Sequence, residues 1–290
     1  MRTLPLNATE ASRTRYELAK YLVEQCPLEF GREIALTGSA SLGVADQDSD
    51  IEMNFWVEAA LSTEDREKWL RSIGATHVIS DAAQIETGSL WTTFLFRDIW
   101  VEAGWQTISS HEELLHSILA GDVLDHERLI MAWIVENAVP LRSTGLLDRW
   151  QQMFSHYPDA LLQRLIANAT ETWVFPHLVA MPWACARRGQ RLKLTARLLG
   201  DAHRALRIVF ALNRRWEPDW KWLPMLTSEL TVKPDRLNER IEKIFSAQLA
   251  EQSATECMEL ILDTLTLVPA CYDVRQASSV IKESLRAHKK

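Results

Sequence analysis

The sequence predicts an α+β chain, with strands and helices mixed over residues 1–140 and helices alone over residues 141–290. Three observations predict this. Short apolar runs of strand length recur at 34–36, 51–57, 77–79, 90–96 and 99–106, with helical spacing between them. From Leu146 onward the long segments keep helical apolar spacing, and no convincing strand is found. Pro140 and Ser143-Thr144-Gly145 break the pattern between the two parts. A length of 290 residues also favours two domains over one.

Taken in order, residues 10–25 read as a helix with Tyr16, Leu18, Tyr21 and Leu22 on its apolar face, and Pro27 follows its end. A strand at 34–36 leads into Gly38-Ser39, behind which residues 40–44 start a short helix. The second strand covers 51–57. Residues 62–73 read as a helix: Ser62 or Thr63 caps it, Glu64 and Asp65 occupy its first turn, and Gly74 stops it. A short strand follows at 77–79, then strands 90–96 and 99–106, which meet at Arg97-Asp98 as a hairpin. Helices at 112–119 and 127–136 lead to the break. Beyond it, helices are expected over 146–154, 159–173, 178–187, 192–213, 237–249, 253–267 and 277–286, with a kink near Pro182.

The net charge of −7 argues against a general nucleic-acid binder, because phosphate contacts favour a basic surface. It leaves room for one local basic patch. No uncharged apolar run reaches the roughly 18 residues of a membrane span. Residues 1–7 lack the apolar core of a signal peptide, so a cytoplasmic location is expected. Cys26, Cys185, Cys257 and Cys271 are widely spaced and form no metal-binding pattern. They are expected to be buried free thiols, and the histidines show no metal spacing.

The chain is organised around Ile34-Ala35-Leu36-Thr37-Gly38-Ser39 and, further on, Asp50-Ile51-Glu52-Met53. In a strand, Asp50 and Glu52 share one face while Ile51 and Met53 face a core. Two close carboxylates repel unless a proton or cation lies between them, and hard oxygen ligands suit Mg²⁺. Gly38 allows close backbone approach, and the Ser39 hydroxyl can hold a phosphate oxygen. Read without function, the same residues make a buried strand, a turn and two solvated acids.

The pattern of an apolar strand, Gly38-Ser39, about ten residues, then Asp50-Ile51-Glu52-Met53 resembles the nucleotidyltransferase superfamily that includes DNA polymerase β. Gly43, Asp46-Gln47 and Ser49-Asp50-Ile51-Glu52 look most like its small antibiotic-modifying members, notably lincosamide nucleotidyltransferases. A second Asp is commoner in the family than the Glu52 found here. The resemblance covers about the first third of the chain. It implies a small mixed sheet with helices on one side, facing a helical bundle across a cleft. It also implies an Mg²⁺-dependent transfer of a nucleoside monophosphate, AMP from ATP or the equivalent from another nucleoside triphosphate, to a hydroxyl of a small molecule. A protein or RNA acceptor, or a degenerate nucleotide-binding regulator, is the alternative.

Asp50 and Glu52 are the candidate metal ligands. Glu102, a lone acid in an apolar strand, is the third carboxylate, as ligand or as general base; Asp98 and Glu86 are the fallback acids. The resemblance implies that a basic residue of the helical domain reaches the triphosphate. The densest cluster is Arg187, Arg188, Arg191, Lys193 and Arg197, with Lys193 first and Arg191 beside it; otherwise these residues are a solvated helix end. Trp216, Trp220 and Trp222 are read as core rather than as a base platform. The expected partners are a nucleoside triphosphate and a small hydroxyl-bearing acceptor, with the protein a monomer or homodimer away from any membrane.

Overall fold

The computed structural model describes residues 2–81 and 89–288. The chain divides into two compact units, Met1–His156 and Tyr157–Lys290.

The first unit opens with α1 (Glu10–Glu24), capped by the Thr9 side chain on Ser12 N. Strand β1 (Glu33–Thr37) runs directly into α2 (Gly38–Leu42), a single helical turn. Then come β2 (Ile51–Val57), α3 (Thr63–Ser72), β3 (Thr76–Ser80), β4 (Leu90–Phe96), β5 (Ile99–Thr107), α4 (Ile108–Ala120), α5 (His126–Asn137), β6 (Val139–Arg142) and α6 (Leu146–Phe154). Ser62 caps α3 as its sequence predicts, accepting from Asp65 N. Arg97 and Asp98 turn the β4–β5 hairpin with φ of +48° and +63°, the left-handed backbone of a tight hairpin turn.

Among the described residues the strands form one six-stranded sheet in the order β3-β4-β5-β2-β1-β6. β2 and β5 pair in parallel, and the other neighbours pair antiparallel. Pro140, expected as a break, lies inside β6. An edge strand tolerates proline because one side of its backbone has no partner to serve.

The period-two pattern sorts β2 as the sequence predicts. Ile51, Met53, Phe55 and Val57 join Val101, Ala103 and Trp105 in a core with Leu18 and Leu22 of α1 and Trp69 and Leu70 of α3. Phe55 stacks on Trp105 with ring centres 4.5 Å apart. The opposite face is not bare: Trp56 is buried between His111 of α4 and Trp150 of α6, each 5.1 Å away by ring centre. Helices therefore lie on both faces, not on one as the resemblance implied. A fully buried indole at position 56 requires that second cover.

The second unit contains α7 (Asp159–Thr170), α8 (Pro176–Arg187), α9 (Arg191–Leu212), α10 (Leu223–Ser228), α11 (Leu237–Ser246), α12 (Ala250–Thr266) and α13 (Arg275–His288). α9 packs against α7, α8, α11 and α12, and α12 also meets α8, α11 and α13. Pro182 lies inside α8. Among the described residues this unit has no strand, as its sequence pattern predicts, and no helix among the described residues is long and apolar enough to cross a membrane. α10 and a 3-10 turn at Trp220–Trp222 occupy a stretch for which the apolar spacing predicts no element.

Candidate active site

The face of the sheet that carries Trp56 is organised in rows. The first runs Glu33, Trp56, Gln106; the second runs Ala35, Asn54, Gly104, Trp91. The third runs Thr37, Glu52, Glu102, Thr93 and, on β3, Ile79. Trp56 and Gln106 are buried, whereas Glu52 and Glu102 are half-buried. Neighbouring strands lie about 4.8 Å apart, so two acids in register on adjacent strands crowd their negative charge.

Gly38 sits across from this pair. Its φ is +64°, and a Cβ added there would lie 2.7 Å from Glu52 Oε2 and nearer still to Cδ and Oε1. The carboxylate of Glu52 thus occupies the space a side chain at position 38 would need. Ser39, the next residue, is 4% exposed. α2 is one turn long, so its N-terminal field is weak, and what the turn offers is a close backbone and a hydroxyl.

Asp50 lies one residue before β2, not within it. It is half-buried and lines an open cavity of about 720 Å³ together with Glu102, Asp48, Asp98, Thr93, Trp100 and Arg15, among others. The structure thus brings Asp50 and Glu102 onto one cavity and Glu52 into register beside Glu102. The fallback acid Asp98 lies in the hairpin turn and also faces this cavity. Glu86 lies outside the described residues. Among the described residues no group of three or more His, Cys, Asp or Glu side chains is gathered to hold a metal ion unaided.

The segment that delivers Asp50 is tied to α1. Thr9 N donates to Gly43 O at 3.0 Å, and Thr9 Oγ1 donates to Ala45 O at 2.6 Å. Ala45 N donates to Ser12 Oγ at 2.9 Å, and Arg15 Nε donates to Ser49 O at 2.7 Å. Within the segment, Ser49 Oγ donates to Asp46 Oδ1 at 2.9 Å, and this bond holds the exposed Asp46 carboxyl below its usual range. Sequence reading missed Arg15. A signal was present: residues 15, 18, 19 and 22 share the buried stripe of α1, and an arginine there must be buried with partners.

His111 is another residue that the sequence did not single out. It is fully buried, its Nδ1 lies 2.8 Å from Gln106 Oε1, and burial pushes its pKa down to about 3. The neutral imidazole packs against Trp56 and Trp150 at the first row, two rows from the acids.

In the second unit, Arg191 and Lys193 are exposed on the first turn of α9, and Arg187 and Arg188 are exposed at the end of α8. Arg197 is committed elsewhere: its Nε donates at 2.7 Å to the fully buried Asp201, which also accepts from Trp173 Nε1 at 2.9 Å. Trp216 is core, 3% exposed and 4.6 Å from the Tyr157 ring. All four cysteines are free, but Cys271 is exposed rather than buried.

A family model described as a domain of unknown function (DUF4037) matches residues 123–223. No curated protein matches the chain. Among solved structures, the chain is similar to a nucleotidyltransferase-like protein from Exiguobacterium sibiricum 255-15. Identity is 11%, the match covers 97% of this chain and 80% of that one, and the TM-score is 0.38. A likeness of that size carries no argument about the chemistry of this chain.

Proposed function

We propose that the protein is an Mg²⁺-dependent nucleotidyltransferase that moves AMP from ATP to a hydroxyl of a small molecule and releases pyrophosphate. One observation carries the reading: the Glu52 carboxylate fills the space above Gly38 and stands in register with Glu102, beside a cavity that Asp50 and Glu102 both line. A glycine kept clear for a carboxylate, and two acids side by side at a cavity, are what a cation-assisted phosphate site needs. The motif of Gly38-Ser39 followed by Asp50-Ile51-Glu52 supports the same reading.

The residues fit Mg²⁺ by donor type and by number. Mg²⁺ is held by one or two carboxylates and completes its shell from phosphates and water, so a ready-made cage of three acids is not required. Asp50 and Glu52 are the carboxylates for it, with Glu102 as a third ligand or as the base. The ion supplies positive charge against the charge that develops on the transferred phosphate.

The chain's own groups position the reactants and move one proton. Ser39 and the Gly38 backbone hold phosphate oxygens. The acceptor hydroxyl oxygen bonds to the α-phosphorus, and the bond from that phosphorus to the leaving pyrophosphate breaks. The hydroxyl proton passes to Glu102. Asp48, Asp50, Asp98 and Glu102 around the cavity favour an acceptor that carries an amine. Together with the segment Asp46 to Glu52, this makes a lincosamide or aminoglycoside our first candidate.

The test is incubation of the purified protein with Mg²⁺, each nucleoside triphosphate and a panel of such antibiotics, read by mass spectrometry for an added nucleoside monophosphate. Modified drug supports the whole reading. Self-labelling or labelling of a protein or RNA removes the small acceptor and keeps the transferase. No labelling and no pyrophosphate with any nucleotide removes the transferase.

A further inference from the structure

We propose that Arg15 is a positioning residue for Asp50: a buried guanidinium on α1 that fixes the peptide from which the Asp50 side chain springs. The catalytic consequence rests on the nucleotidyltransferase reading; the structural clamp does not.

Asp50 needs an anchor of its own. β2 begins at Ile51, so the ladder that orders Glu52 does not reach back to Asp50. The Ser49 carbonyl is part of the planar peptide unit that ends at the Asp50 nitrogen and Cα. Arg15 grips that carbonyl twice, with Nε at 2.7 Å and with Nη2 as well. Nη2 also donates to Gln47 O at 3.1 Å, and Nη1 donates to Ala11 O of its own helix at 3.3 Å. Its hydrogen bonds among the described residues all go to carbonyl oxygens.

Arg15 is only 4% exposed, yet it lines the same cavity as Asp50 and Glu102. Burying a guanidinium is unfavourable unless its donors are matched, and here the matching groups are carbonyls of the segment that leads to Asp50. Thr9, the cap of the same helix six residues earlier, and Ser12, three residues earlier, hold Gly43 and Ala45. One face of α1 therefore grips residues 43–49 along their length, and Arg15 holds the end nearest the acid. A lysine cannot replace it, since two parallel N–H groups on one carbonyl need the planar fork.

The experiment compares the full chain with Arg15→Lys and Arg15→Ala. Hydrogen exchange at the amides of residues 46–50 tests the clamp. They should exchange at least about tenfold faster in both variants while the amides of β2 and β5 stay protected. Unchanged exchange at 46–50 overturns the clamp whatever the enzyme does. Steady-state rates with MgATP and an acceptor that the wild type modifies test the consequence. We expect kcat to fall about 10–100-fold, as for other supports of a ligand, with the KM for MgATP nearly unchanged. Millimolar guanidinium should restore part of the rate of Arg15→Ala and none of the rate of Asp50→Asn. A wild-type kcat in Arg15→Lys, or a loss of rate that only tracks loss of folded protein in the thermal melt, overturns the positioning role. A wild type that transfers no nucleotide removes the catalytic consequence along with the transferase reading, and the exchange result still decides the clamp.

Discussion

Replacing Gly38 with alanine separates the architecture of the site from its chemistry. At φ +64° any residue with a Cβ carries strain of about 1–2 kcal/mol. The added carbon would also lie 2.7 Å from Glu52 Oε2 and closer to Oε1, so the Glu52 carboxylate must leave its position. It sits at the end of a flexible side chain, so the move itself adds only about 0.5–1.5 kcal/mol of rotamer strain. The fold should therefore survive Gly38→Ala with a loss of about 1.5–3.5 kcal/mol. The site should not: one carboxylate of the in-register pair is displaced by more than an ångström-scale tolerance, and transfer should fall by about a hundredfold or more.

A double-mutant cycle with Glu52→Ala isolates the contact. Once the carboxylate is gone, Gly38→Ala keeps only its backbone strain, so its cost in urea unfolding should shrink by about 0.5–1.5 kcal/mol. A coupling of zero would show that Glu52 does not occupy the space above Gly38, and the site as described would be refuted. Normal coupling with wild-type transfer in Gly38→Ala would show that the packing is right and that Glu52 is not needed for the reaction.

Three further outcomes follow from the same structure. Asp50→Asn and Glu102→Gln should each keep the fold by circular dichroism and lower transfer by at least about a hundredfold; a chelator should stop the wild type and added Mg²⁺ should restore it, and undiminished turnover under chelation would end the metal assignment. His111 has a folded pKa of about 3 against an ordinary 6.5, so its contribution to stability is complete above pH 6.5 and is lost as pH falls towards 3, at up to about 1.4 kcal/mol per pH unit; urea titrations between pH 7 and pH 4 should show this slope in the wild type and a shallower one in His111→Gln. Asp201→Ala leaves Arg197 without its buried partner and should lower stability by about 3–5 kcal/mol, and a calorimetric loss under 1 kcal/mol would show that the buried pair contributes little.

How much of this was legible in the sequence depends on the range of each interaction. The alternation of Ile51, Met53 and Phe55 against Glu52 and Asn54 is local, and so are the Ser62 cap and the Arg97-Asp98 turn; all three stand where the pattern puts them. Glu33 is the opposite case. It is fully buried on β1, and its carboxylate accepts from Ser143 Oγ at 2.6 Å and Thr144 N at 2.7 Å, with Leu147 N at 3.2 Å. The turn before α6 is therefore completed by a residue more than a hundred positions earlier, and the Ser143-Thr144-Gly145 stretch reads locally only as a break. β6 was hidden for a similar reason: Pro140 argues against a strand until the strand is known to be at an edge.

The placement of the acids follows from what covers the sheet. Along the face that carries Glu52, the row at Trp56 is sealed by His111 and Trp150, and the row at Asn54 is closed internally, with Asn54 Nδ2 donating to Thr37 Oγ1 at 3.0 Å. The next row, Thr37 to Ile79, is half open at Glu52, Glu102 and Thr93. Two in-register carboxylates at the sealed row would face a large desolvation penalty with no cation able to enter. At the open row the same pair can be reached by water, an ion and a ligand. The sequence marks the acids, but their exposure depends on the helical cover over the Trp56 row stopping short of them, and on α1 reaching across to hold the segment that carries the remaining acid, Asp50. That last dependence makes Arg15→Lys a sharper probe of the site than removal of any one carboxylate, because it leaves every acid in the chain and changes only where one of them is held.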